Sequence, residues 1–219
     1  MEILKPFGPP IYKSNLDIKD IEKINSYLEN NLLNDDDKKK QLDASNSLVG
    51  KVKEEIHLEK EFLEKELLNI IGPHINNFLV NSDYKSHKSI NLDSCWVVRQ
   101  YESEYNPVHS HNGDISGVLY LKFPQDRKSG KDGSITFVNS PTFFLNRGHL
   151  TLIPEIGSIF LFPSYVLHTV YPIRENQEER RCIAFNGTYR ITNEKNEFIA
   201  GSFLDEQNQT FYKQEKGKW

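Results

Sequence analysis

The stretch NPVHSHNGDISGVLYL, residues 106–121, decides how the rest of the chain is read, together with GSIFLFPSYVLH at 157–168 and ERRCIAFN at 179–186. Each is a short apolar run of strand length bounded by turn-forming residues. Three of the seven histidines (His109, His111 and His168) and one aspartate, Asp114, stand at the mouths of these runs. Side chains two apart in a strand share a face, so His109 and His111 can aim at one point. Asn112-Gly113 is a turn that can swing Asp114 back toward them. Imidazole with carboxylate suits iron, manganese, nickel or zinc rather than calcium or magnesium. His168 follows an apolar run opened by Gly157 and stopped by Pro163, so a third ligand can arrive from across the fold. Arg180 and Arg181 open the last run. A guanidinium grips a carboxylate in two parallel hydrogen bonds. Cys182, Ala184 and Asn186, on the same side as Arg180, leave room for an acidic ligand below a metal. Tyr120 shares a face with Ser116 and Val118, and its hydroxyl is placed to add a second hydrogen bond. Taken singly, each of these has a bland alternative: edge-strand histidines, a packed tyrosine, a surface arginine.

Outward from that centre, the period is strand-like from Ser94 on. Strands are expected at Cys95–Tyr101, Val108–His111, Ile115–Phe123, Ser134–Val138, His149–Ile153, Ser158–Phe162, His168–Pro172 and Arg181–Tyr189. A final pair is expected at Glu197–Phe203 and Thr210–Lys213. Short strands at regular spacing predict a sandwich or barrel. Before them, Asp17 is an N-cap for a helix with Ile18, Ile21, Ile24, Leu28 and Leu32 on one face. Asp35 to Lys40 is expected to be solvated loop. A second helix is expected between Val52 and Leu79, broken or kinked at Gly72-Pro73. The expected organisation is one domain over 1–219, with a helical support region at 1–93 and a β core at 94–219. His57, His74 and His87 fall outside the core and are expected to be structural.

A chain of 219 residues with 37% hydrophobic and 26% charged residues builds a real core beneath a polar surface. A net charge of −4 argues against nucleic acid, which needs a clustered excess of Lys and Arg. The two cysteines, Cys95 and Cys182, lie far apart in strand-like text, which predicts buried thiols rather than a disulfide or a zinc cage. There is no apolar run long enough for a membrane helix and no signal-like start. A cytoplasmic protein is the expectation.

HSH followed by ISGVLYL, then GSIFLFPSYVLHTV, then RRCIAFN resembles the 2-oxoglutarate/Fe(II)-dependent oxygenase family, relatives of the prolyl hydroxylases with a double-stranded β-helix. The resemblance covers Trp96 to Tyr189, and the opening PFGPPIY is also similar. It implies a mainly β, jelly-roll (cupin-like) core with N-terminal helices. It also implies Fe(II) held by two histidines and a carboxylate, with 2-oxoglutarate chelating the metal and its far carboxylate on Arg180. O2 and a peptide or small-molecule substrate would complete the partners. The family's usual first block is H-x-D, whereas this chain has H-x-H and then Asp114. Either His109 and His111 both ligate with His168, or one of them pairs with Asp114. Two other classes fit the same residues: a cupin-like metal enzyme without 2-oxoglutarate, and a binding module that has lost catalysis.

Overall fold

Apolar strands too long to leave in water pair into two antiparallel sheets. The computed structural model describes residues 2–4, 8–82, 88–125, 131–140 and 148–191. Its strands are β1 (Glu2–Leu4), β2 (Ile11–Asn15), β3 (Glu54–His57), β4 (Lys88–Gln100), β5 (Asn106–His109), β6 (Ile115–Lys122), β7 (Ile135–Val138), β8 (His149–Leu152), β9 (Ser158–Pro163), β10 (His168–Val170) and β11 (Arg180–Ile191). Seven form one sheet in the order β1-β2-β9-β6-β11-β4-β3, and four form a second in the order β5-β10-β7-β8. Strand spacing predicted a sandwich or barrel, and the two sheets form the jelly roll that the family resemblance implied.

The large sheet is buried on both faces, and the alternation of β6 shows how. Ile115, Leu119 and Leu121 point outward into a cluster with Ile21, Ile24 and Leu28 of α1 (Ile18–Leu28) and Ile71, Ile75 and Phe78 of α4 (Leu68–Asn81). Val118 and Tyr120 point inward, packing with Trp96, Val98, Phe160 and Phe162 of the same sheet and with Ile135 and Phe137 of the small one. Each fully buried Leu, Ile or Phe contributes about 1.5–3 kcal/mol, so the helices act as a backing plate for the sheet that carries the site. Asp17 caps α1, its carboxylate accepting from Lys19 N–H at 2.9 Å.

Several expectations are corrected. Val52 to His57 is not helical: β3 forms there and pairs with β4 as an edge strand. Helical structure begins at α3 (Lys60–Phe62) and continues through a π turn at Leu63–Leu67 into α4. Pro73 neither breaks nor ends α4. It lies on the exposed side, where the carbonyl it deprives of a partner meets water, while Ile71 and Ile75 are held in the core. Asp35 to Lys40 is not loop: Asp35 caps the short helix α2 (Asp36–Gln41) by accepting from the N–H groups of Asp37 and Lys38. β5 ends at His109, so His111 lies just past the strand, its N–H donating to Ser164 O at 2.9 Å. The strand pair expected at Glu197–Phe203 and Thr210–Lys213, and His87, lie outside the described residues. No helix among the described residues is long and apolar enough to cross a membrane.

Candidate active site

The two sheets enclose a cavity of about 480 Å³ whose lining draws on both. Antiparallel pairing of β10 with β5 sets His168 directly opposite His109, and the turn after β5 brings His111 to the same place. The ring centroids lie 4.3 Å (His109–His168), 4.8 Å (His109–His111) and 5.0 Å (His111–His168) apart. One nitrogen from each ring falls within 4.8 Å of the other two, and this cluster is the group of metal-capable side chains among the described residues. Asp114 is not part of it. It stands exposed before β6, where its backbone N–H donates to Gly187 O and its carbonyl accepts from Ser164 N–H.

Local hydrogen bonds fix the tautomers. Nδ1 of His109 bonds Pro107 O at 2.7 Å, and Nδ1 of His168 bonds Val166 O at 2.9 Å. A carbonyl only accepts, so Nδ1 carries the proton on both rings and Nε2 presents its lone pair. Burial keeps all three imidazoles neutral: it pushes His168 down to about 3 and His111 to about 4, with the neighbouring rings adding to the effect, and lowers His109 as well. Neutral imidazole is the form that binds a metal.

β11 supplies the other half. Alternation along it sends Arg180 into the cavity and Arg181 out toward α1. Arg180 is 2% exposed, donating to Gln100 Oε1 (2.9 Å) and Gly133 O (3.2 Å), with its guanidinium 4.9 Å from the centre of the Tyr120 ring. Among the described residues no carboxylate pairs with it. Tyr120 Oη, beside it, is buried without a hydrogen-bond partner among the described residues, and burial holds this phenol protonated, raised to about 12. A buried cation and a buried hydroxyl, both without an acid, form a receptor for a carboxylate. Arg181 is consumed elsewhere: it bonds Glu179 at 2.8 and 2.9 Å, and Glu29 and Asn25 at 3.0 Å each.

The sequence thus located His109, His111, His168, Arg180 and Tyr120, all of which line or face one cavity. It missed Glu55 and Asn106, which line the same cavity. Glu55 was hidden because VKEEIH, residues 52–57, reads as the Glu- and Lys-rich start of the helix that follows.

Residues 94–186 match the family described as "Putative 2OG-Fe(II) oxygenase". No curated protein matches the chain. Among solved structures, a viral collagen prolyl hydroxylase from Paramecium Bursaria Chlorella virus-1, solved as a 2OG complex, superposes with a TM-score of 0.54 at 15% identity, over 81% of this chain and 96% of that one. A Pseudomonas putida prolyl-4-hydroxylase gives 0.55 at 14%, over 84% and 93%. HygX from Streptomyces hygroscopicus, solved with iron bound, gives 0.52 at 12%, over 82% and 81%. At such identities the likeness is one of fold, the double-stranded β-helix.

Proposed function

We propose, for a chain whose residues 94–186 match the 2OG-Fe(II) oxygenase family, that the three histidines hold Fe(II) and that Arg180 with Tyr120 holds 2-oxoglutarate, for hydroxylation of a C–H bond in a peptide or small molecule. The observation that carries this reading is one cavity holding both a converging imidazole cluster and a buried guanidinium without an acid partner. The donor set fits the metal: three neutral imidazoles suit iron(II), though less selectively than a set including a carboxylate. When bound, iron with 2-oxoglutarate supplies the oxidising chemistry, drawing on O2 and releasing succinate and CO2.

The chain's own residues do the positioning. Pro107 and Val166 carbonyls hold the rings of His109 and His168 so that Nε2 faces the cluster. Arg180, fixed by Gln100 and Gly133, offers its remaining N–H groups to the distal carboxylate of 2-oxoglutarate, and Tyr120 Oη donates beside it. Trp96, Phe162 and Val98 keep the floor of the cavity apolar and limit water.

The all-imidazole cluster also favours a second reading, a cupin-like metal enzyme that needs no 2-oxoglutarate. One assay separates them. Succinate release that depends on both Fe(II) and 2-oxoglutarate, and that is lost in His168→Ala together with bound iron, is the expected result. Turnover retained in that variant rejects the histidine assignment, and substrate oxidation indifferent to 2-oxoglutarate favours the second reading.

A further inference from the structure

Glu55 is the group in the cavity that neither the histidine cluster nor Arg180 uses. β3 pairs with β4 so that Glu55 lies opposite Val98, which in turn lies opposite Cys182 and then Tyr120. The row puts its carboxyl on the cavity side. Glu55 is 1% exposed, and Oε2 has no hydrogen-bond partner among the described residues. Asn106 Oδ1, from the start of β5, is also buried without one. The two side chains converge on Gly50: a Cβ there would meet Oε2 and Oε1 of Glu55 at 2.9 and 3.0 Å and Asn106 Oδ1 at 3.0 Å. The segment from Ser47 to Gly50 walls this end of the cavity and is tied down where Lys51 N–H donates to Tyr105 O at 2.8 Å.

We infer that this end of the cavity is a substrate subsite that takes a protonated nitrogen, an ammonium or a guanidinium. Two acceptor oxygens without donors are costly to leave buried, and an N–H donor is what both lack. A charged donor suits them better than a neutral one because the surroundings are acidic. Burial first, then the nearby Glu104 and Asp43, raise the Glu55 carboxyl to about 7, and among the described residues no Lys or Arg pairs with it. A cation beside it would favour the ionised carboxylate, which burial and those two acids disfavour. The two unmet acceptors offer no donor to a dicarboxylate, so 2-oxoglutarate is directed to Arg180 and the substrate to Glu55.

This inference rests on the cavity being the active site, and its test reads the two ideas separately. The full-length protein is titrated by ligand-observed NMR with n-butylammonium and methylguanidinium, and with the neutral isosteres 1-butanol and N-methylurea. The wild type is expected to prefer one or both cations by about tenfold, the scale of one charge-assisted hydrogen bond. Glu55→Gln should abolish that preference. Gly50→Ala, whose methyl crowds the carboxyl, should weaken it by a second route. Equal binding of cations and neutral isosteres to the wild type, or a preference that survives in Glu55→Gln, overturns the inference. Iron content and 2-oxoglutarate affinity of the wild type, measured alongside, report on the oxygenase reading alone. If those fail while the cation preference holds, the cation subsite stands and the oxygenase assignment falls.

Discussion

Two neighbouring rows of side chains cross the same four strands, β3, β4, β11 and β6, and they treat charge in opposite ways. The outward row is Glu54, Arg99, Arg181 and Lys122. There Glu179 accepts from Arg99 (2.7 Å), Arg181 (2.8 Å) and Lys122 (3.3 Å), and Arg99 also bonds Glu54. Three cations share the one carboxylate of Glu179, Glu54 takes the outer side of Arg99, and each of these charges has a partner. The inward row is Glu55, Val98, Cys182 and Tyr120, with Arg180 one step along β11. There, among the described residues, the acid has no base, the base has no acid, and the hydroxyl has no partner. Buried charges left unmatched cost stability. A sheet that matches its charges on one face and leaves them open on the other is built for structure outside and for ligands within.

The largest expected effect breaks the outer row. Arg181→Met should lower folding stability by about 3 kcal/mol, since removing one partner leaves Glu179 buried with less compensation, and chemical denaturation would measure it. The pH dependence follows from the same pairing. Burial alone would raise Glu179, but Arg181 and Arg99 overcome it and bring the carboxyl down to about 2. A group whose folded value is depressed contributes stability above its ordinary value and loses it as pH falls toward the folded one. The wild type should therefore lose this contribution between roughly pH 4.5 and 2, and Arg181→Met should show a shallower acid slope in that window.

The inner row should respond the other way. Arg180→Met gives up hydrogen bonds to Gln100 and Gly133 but also removes a buried cation that no carboxylate among the described residues compensates, so stability should fall by less than in Arg181→Met, while the KM for 2-oxoglutarate should rise by about 100-fold, the scale of losing one or two charge-assisted bonds. If Arg180→Met and Arg181→Met destabilise the protein equally, the contrast between the faces fails.

This contrast also marks what the sequence could reveal. Alternation along RRCIAFN separated Arg180 from Cys182's outward neighbours and placed Tyr120 with Val118, because a period of two is visible in one strand. The histidine cluster was legible for the same reason, although His111 reaches it by a turn rather than by the strand itself. Which histidines or carboxylate meet was not legible, since that depends on the pairing of β10 with β5 across 59 residues from His109 to His168. Glu55 was lost altogether. Four residues of edge strand carry too few periods to be told from helix, and only pairing with β4 decides. Pro73 misled in the opposite sense, because burial of its neighbours outweighs one missing hydrogen bond.

Gly117 tests whether the outer face is purely structural. Its missing side chain is filled by neighbours: a Cβ there would lie 2.2 Å from Phe185 Cζ and 2.7 Å from Leu161 Cδ2. Gly117→Ala should cost about 2 kcal/mol by overpacking, read as a lower denaturation midpoint. Its KM for 2-oxoglutarate should match the wild type.

The smallest effect is the sharpest, because it asks stability and binding to move in opposite directions. Tyr120→Phe keeps the ring stacked beneath Arg180 and against Phe160, 5.5 Å away between centroids, and deletes only an oxygen that has no partner. Burying that oxygen unpaired costs the free protein, so the variant should be as stable as the wild type or up to about 1 kcal/mol more so. The same oxygen donates to the proposed carboxylate, so the KM for 2-oxoglutarate should rise about fivefold, a loss of about 1 kcal/mol. A loss of stability with unchanged KM would mean that the hydroxyl serves the fold, and the inner row would then differ from the outer one in its acid and base alone.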